Sequence, residues 1–213
     1  SPYLIDALIS TEDIRYYSHS GIDIIGLGRA VFKTLLFRKE SGGSTITQQL
    51  AKQLYSPRAK NKLQRVFQKP VEWVIAAKLE RYYTKDEIIN LYLNKYDFTN
   101  NAVGIESAAR TYFNKMPGEL NVEEAATLIG MLKNSSLYNP ARRPEVTRDR
   151  RNVVLSQMRK AGHLTRSEAD SLQQLPIELD FKRSSHVDIS APYYRQHLAK
   201  IMMAKKPERK NYG

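Results

Sequence analysis

What most restricts the fold of this chain is a helix-start signal that keeps returning. Thr45–Gln48, Thr84–Glu87, Asn121–Glu124 and Thr165–Glu168 each set a hydroxyl or amide three residues before a glutamine or glutamate, the spacing of a reciprocal helix cap. Apolar residues then recur at three and four positions, as in Ile46, Leu50 and Leu54 or Ile88, Leu91 and Tyr92. The alternation that marks half-buried strands is almost absent. The prediction is a mainly α fold, with further helices over residues 2–10, 104–113, 122–132, 147–161 and 192–204, a short strand at 177–180, and a linker or tail over 205–213.

A chain of 213 residues buries a real core as one domain, with room for a smaller lobe. Its formal net charge of +12 implies anionic partners, whether a phospholipid surface, a phosphorylated substrate or a nucleic acid. It has no cysteine, which excludes disulfides and zinc–thiolate sites. No apolar run approaches the roughly 20 residues that cross a bilayer. The abrupt start at Ser1-Pro2-Tyr3 reads as that of an excised domain, so that any membrane anchor would lie upstream of it.

Residues 41–54 carry the densest polar chemistry. Gly42 and Gly43 allow a turn, Thr45 starts a helix, and Ser44, Gln48 and Lys52 fall on one face while Ile46, Leu50 and Leu54 fall on another. A helix N-terminus followed by hydroxyls, amides and a lysine suits an anionic, oxygen-rich ligand such as a phosphorylated sugar. Upstream, the adjacent carboxylates Glu12 and Asp13 precede His19, and a carboxylate at a helix end suits proton removal from a sugar hydroxyl. His19 reads as a structural hydrogen-bonder. Residues 24–38 form a basic amphipathic helix carrying Leu27, Val31, Phe32, Leu35 and Leu36, which suits either packing on the core with a snorkelling basic rim or insertion at the edge of an anionic bilayer.

Residues 55–69 contain Arg58, Lys60, Lys62, Arg65 and Lys69 with no acid, and read as a mobile loop facing phosphates. Pro70 is expected to open the next helix, in which Lys69 and Glu72 lie three apart. Pro140 and Pro144 are expected to keep the turn-rich stretch at 133–140 from continuing as helix. The basic hairpin over 147–176 resembles a DNA reader only in isolation, and in residues 55–69 no stacking aromatics are interleaved in the way single-strand binders use them.

Together these stretches resemble the bacterial peptidoglycan glycosyltransferases found in class A penicillin-binding proteins and in monofunctional polymerases. The first signature is matched by Glu12-Asp13-x-x-Tyr16-x-x-His19-x-Gly21, with Tyr16 where phenylalanine is usual. Residues 41–54 match the second, and Gln68-Lys69-Pro70-Val71-Glu72 the third, with its arginine missing. Residues 85–94 match the fourth, with Asn90 where an acid is common, and 133–140 the last.

The resemblance implies a lysozyme-like helical head with a smaller membrane-facing jaw at about 24–69, the domain running over 1–204. It implies polymerisation of lipid II into β-1,4-linked glycan strands, with inversion at the anomeric carbon and release of polyprenyl pyrophosphate. Glu12 is then the base and Glu72 the second essential glutamate. Lys52 and Lys69, with Arg65, form a pyrophosphate clamp, and Asp13, Ser44, Thr45, Gln48 and Gln49 join them in binding substrate. No cofactor is required, although a divalent cation (Mg or Mn) beside the pyrophosphate is compatible with this chemistry.

The partners implied are lipid II, the growing lipid-linked strand and the membrane surface, with no nucleic acid. The location implied is the external face of the cytoplasmic membrane. The resemblance also allows a transpeptidase domain beyond Gly213, whose Ser-x-x-Lys nucleophile motif these residues do not contain. The alternatives are a peptidoglycan-cleaving muramidase or lytic transglycosylase with a lone catalytic glutamate, and a non-enzymatic nucleic-acid binder.

Overall fold

The computed structural model describes residues 1–37, 43–55 and 61–182. The expectations for Arg38, the turn at Ser41 and Gly42, Arg58, Lys60, the helix at 192–204 and the tail at 205–213 lie outside the described residues. The architecture is mainly α, as expected, and among the described residues the only β pairing is an isolated bridge between Asp97 and Val103.

Nine helices are described: α1 (Pro2–Glu12), α2 (Ile24–Phe37), α3 (Ile46–Tyr55), α4 (Lys62–Tyr82), α5 (Lys85–Lys95), α6 (Ile105–Phe113), α7 (Val122–Met131), α8 (Pro144–Ala161) and α9 (Arg166–Gln174). The caps at Thr84, Asn121 and Thr165 form as their spacing demands, each accepting from the N–H three residues on while that glutamate reaches back. Burial and these caps explain why the starts of α5, α7 and α9 were legible from local sequence alone.

The core is arranged around α7, in which every residue from Ala125 to Met131 is buried. It packs between α1 and α8, with α6 alongside, while α3 packs against α4 and α5. Because α7 touches protein all round, its composition is small and apolar, without a polar stripe. By contrast, α2 makes no extensive contact with another helix among the described residues and leaves Ile24, Ile25, Phe32 and Leu36 exposed.

Three local expectations are corrected. The helix containing Pro70 opens eight residues earlier, at Lys62, capped by the Asn61 side chain, which accepts the Gln64 N–H at 2.8 Å. Residues 62–69 are therefore helix, and Pro70 lies inside it. The missing proline N–H removes the usual intrahelical donor to the Val66 carbonyl, on a stretch of α4 where both residues are exposed. Pro144 begins α8, where its fixed φ and absent N–H cost nothing. Residues 177–180 are extended without a strand partner, tied down instead by Lys182 N–H to Thr111 O at 2.8 Å and Asn114 to Asp180 at 2.9 Å.

Gly21 joins the first loop to the helical core. Its φ is +84°, and a Cβ there would lie 2.9 Å from the backbone of Ala76 in α4. Replacement by alanine combines left-handed strain with a clash against backbone that cannot rotate away. We expect Gly21→Ala to destabilise the domain by about 1–3 kcal/mol, read from its urea midpoint. An unchanged midpoint would show that this loop is not fastened to α4.

Candidate active site

The site begins where α1 stops. Glu12 is the last residue of α1, and Asp13 leaves helical geometry at φ −158°, ψ 74°. This turns the Asp13 carboxylate inward, where Oδ2 accepts the N–H of Ile46, the first residue of α3, at 3.2 Å. His19 Nε2 lies 3.0 Å from both carboxylate oxygens, and both side chains are almost wholly buried. A carboxylate at a helix N-terminus meets free N–H groups and the positive end of the helix dipole. His19 is a structural hydrogen-bonder, as its sequence context suggested.

The start of α3 is fastened a second time at Gly21. Thr45 Oγ1 accepts the Gln48 N–H at 3.1 Å and donates to Gly21 O at 2.7 Å, while Gln48 Nε2 donates to the same carbonyl at 3.3 Å. Gln48 therefore does not close a reciprocal cap with Thr45; its amide nitrogen is held by the Gly21 carbonyl. Thr45, Thr47 and Gln48 are all buried, as are Ile46, Leu50 and Ala51. The expected division of α3 into polar and apolar faces fails because α3 is enclosed on several sides. Asp13, Thr45 and Gln48 were expected to bind substrate; the Asp13 carboxylate, the Thr45 hydroxyl and the Gln48 amide nitrogen meet internal partners, and Asp13 and Thr45 also line the cavity wall.

Glu12 and Gln49 occupy the side left open. Gln49 Nε2 donates to Glu12 Oε2 at 2.9 Å, and Tyr92 Oη donates to Gln49 Oε1 at 3.0 Å. Tyr92 lies wholly within the core, and burial, with the Glu12 charge behind it, pushes its phenol well above the ordinary value. The phenol thus stays a donor, which fixes the Gln49 amide with its NH2 group toward Glu12. Arg150 of α8 adds a cation 3.9 Å from Glu12 Oε1.

A cavity of about 340 Å³ opens here, with Glu12, Asp13, Ser44, Thr45, Arg29 and Lys160 on its walls. At Ser44 it meets the cationic group: Lys69 Nζ donates to Ser44 Oγ at 2.8 Å and lies 3.4 Å from Glu72 Oε2. Glu72 is 1% exposed and Lys69 about a third exposed, so the lysine presents charge to solvent from a buried support. Lys52 is exposed in the last turn of α3, three residues beyond Gln49 and hence on a neighbouring part of its face. Arg65 is carried by α4 one turn before Lys69; its side chain lies outside what is described.

The structure thus brings Glu12, Gln49, Ser44, Lys69 and Glu72 into one connected locus. Sequence reasoning missed Tyr92 and Arg150, which come from α5 and α8. Tyr92 had been assigned only to a buried face, and Arg150 sits among many arginines of a basic helix, so neither carried a local signal. Among the described residues no group of His, Asp and Glu side chains is gathered as a metal site, and no helix is long and apolar enough to cross a membrane.

Known proteins resemble this chain in sequence. The sequence model of the Transglycosylase family matches residues 1–159. Penicillin-binding protein 1F of Bacillus subtilis is 39% identical over 181 residues, covering 84% of this chain and 25% of that protein. Penicillin-binding protein 1A of Escherichia coli is 35% identical over 202 residues, covering 94% and 23%. Among solved structures, penicillin-binding protein 1A from Haemophilus influenzae matches 77% of this chain and 20% of that one, at 24% identity and a TM-score of 0.44.

The chain belongs to the transglycosylase family and is a peptidoglycan glycosyltransferase domain. It spans about a quarter of the length of these penicillin-binding proteins. Neither relative is named as a glycan-cleaving enzyme, and nothing supports the lytic alternative.

If Asp13 fastens α1 to α3, Asp13→Ala leaves the Ile46 N–H and His19 Nε2 buried without this acceptor. We expect a loss of about 1–3 kcal/mol in unfolding free energy, measured by urea titration. A variant as stable as the parent would remove Asp13 from this role.

Proposed function

We propose that this domain polymerises lipid II, with Glu12 as the base that takes the proton from the acceptor's 4-hydroxyl. The freed oxygen attacks the anomeric carbon of a lipid-linked donor, the bond to the polyprenyl pyrophosphate breaks, and configuration inverts. Such a reaction needs a proton acceptor at one end and charge stabilisation at the other. The observation that carries the reading is that Glu12 and Ser44 line one cavity while Ser44 also holds the Lys69 ammonium.

Lys69 is then the central cation of the leaving-group site, with Lys52 and Arg65 as outer contributors. Glu72 holds Lys69 from below. We require no cofactor for this mechanism; a divalent cation, Mg or Mn, bound to the pyrophosphate itself would add to the work of Lys69.

The membrane reading of the jaw is supported by apolar surface on α2 and on the first two-thirds of α4, which runs on beyond the jaw. α2 exposes Ile24, Ile25, Phe32 and Leu36, and α4 exposes Val66, Phe67, Val71 and Val74 at helical spacing. With the positive charge of residues 55–69, these suit the headgroup layer of an anionic membrane at its external face, where lipid II and the growing strand are anchored. Nucleic acid has no place in this reading.

The test is polymerisation of purified lipid II in detergent. We expect Glu12→Gln to lower the rate by on the order of 10²–10⁴ while lipid II binding stays near the parent's. Strand synthesis at parental speed would refute the base assignment. In the same assay Lys69→Ala should lower kcat/KM by about 10²–10³ and exceed the effect of Lys52→Ala. The reverse ranking would move the clamp toward the end of α3.

A further inference from the structure

Among the charged side chains that this reaction leaves without a task, Arg150 is the one that reaches the base. Its side chain is 11% exposed, and one terminal nitrogen stands 3.9 Å from Glu12 Oε1, the oxygen that Gln49 does not hold. Two further contacts aim it. Arg150 Nε donates to the Gly130 carbonyl of α7 at 3.4 Å, and the guanidinium lies over the Tyr138 ring, 5.8 Å from its centroid.

The path of the side chain depends on a missing atom. A Cβ on Gly130 would lie 3.2 Å from Arg150 Cγ, so the glycine in α7 leaves the gap through which the arginine stem crosses toward α1. The next residue shows what a purely structural arginine looks like in this helix. Arg151 is fully buried, and its guanidinium is consumed by the carbonyls of Gln173, Leu175 and Pro176 at the end of α9. Arg150 makes no comparable closure. Among the described residues its carboxylate partner is Glu12.

We propose that Arg150 is a positioning residue for Glu12, held in aim by Tyr138. This rests on the reading of Glu12 as the base. A carboxylate held only through Gln49 is free to swing its second oxygen. With the Arg150 charge 3.9 Å from that oxygen, the carboxylate is biased toward one orientation at the cavity. Positioning of this kind matters because a displacement of about 1 Å at a reacting group costs up to about 10² in rate.

The remaining ionisable groups around Glu12 do not duplicate the contact. Asp13 is turned inward, the phenols of Tyr92 in α5 and of Tyr96 just beyond it are raised by burial and stay neutral, and Asp23, Arg29 and Lys160 also line the cavity. The inference also gives residues 133–140 a task. Asn139, buried, donates to Thr99 Oγ1 at 2.9 Å and anchors the stretch, and the neighbouring Tyr138 supports the arginine.

The experiment measures steady-state polymerisation of lipid II in detergent by Arg150→Met, Arg150→Lys and Tyr138→Leu, with thermal melting of each. For Arg150→Met we expect kcat to fall about 10- to 100-fold with KM within about twofold of the parent and an unchanged melting temperature. Arg150→Lys restores the cation without the planar fork and should recover part of the lost kcat. Tyr138→Leu should shift kcat in the same direction by a smaller factor.

A parental kcat in Arg150→Met, or a loss confined to KM, overturns the proposal. Should Arg150→Met fail to fold, a parental kcat in Tyr138→Leu overturns it instead, and a lowered kcat there supports it. Glu12→Gln separates the two readings. An inactive Glu12→Gln beside a fully active Arg150→Met rejects the role of Arg150 alone, whereas an active Glu12→Gln rejects the base assignment itself.

Discussion

The carboxylate of Asp13 is the fastening on which the site depends. It ends α1, accepts the first N–H of α3 and is gripped by His19, all within the protein interior. Helices α1 and α3 are far apart in sequence, and neither would otherwise fix where the other begins or ends. With that joint made, Glu12 projects from the last turn of α1 beside Gln49, and Ser44 precedes the start of α3 on the same cavity. The geometry that opposes a carboxylate to a lysine-bearing surface is thus a consequence of one buried polar contact and its backing by Gly21.

A second buried network keeps the first in place. Thr47 donates to Glu80 at 2.6 Å, and Lys85 pairs with Glu80 at 2.7 Å, donates to the His19 carbonyl at 2.6 Å and lies 4.3 Å above the Tyr16 ring. Tyr16 returns the contact by donating to the Lys85 carbonyl at 2.9 Å, and burial together with the Glu80 charge raises its phenol far above the ordinary value, so it remains a donor. Tyr16 thus stands in this loop with a hydroxyl that is fully used. Buried polar groups are tolerated only when partnered, and here the partners come from α3, α4 and α5. The first loop is held by every helix that surrounds it.

How much could be read beforehand follows from the range of each interaction. The caps at Thr84, Asn121 and Thr165 and the glycine closing α8 at φ +86° involve neighbours within four residues, so residue type and spacing were enough. The start of α4 departs from the expectation placed on Pro70 because the Asn61 side chain caps the helix eight residues earlier. Gln48 was misplaced for another reason. Its position on a helix face was correct, but which faces of α3 meet protein is decided by α4, α5 and the Gly21 loop. Arg150 and Tyr92 reach the site across long separations, and only packing reveals them.

On this reading one bound substrate pair meets Glu12 at its acceptor hydroxyl and Lys69 at its leaving pyrophosphate. A crystal structure of the domain with an unreactive lipid II analogue in the donor position and lipid II as acceptor tests this most directly. The account requires pyrophosphate oxygens on Lys69 and Ser44, with the acceptor 4-hydroxyl within about 2.6–3.2 Å of a Glu12 oxygen. Density placing the pyrophosphate away from Lys69, or the hydroxyl beyond reach of Glu12, would contradict it.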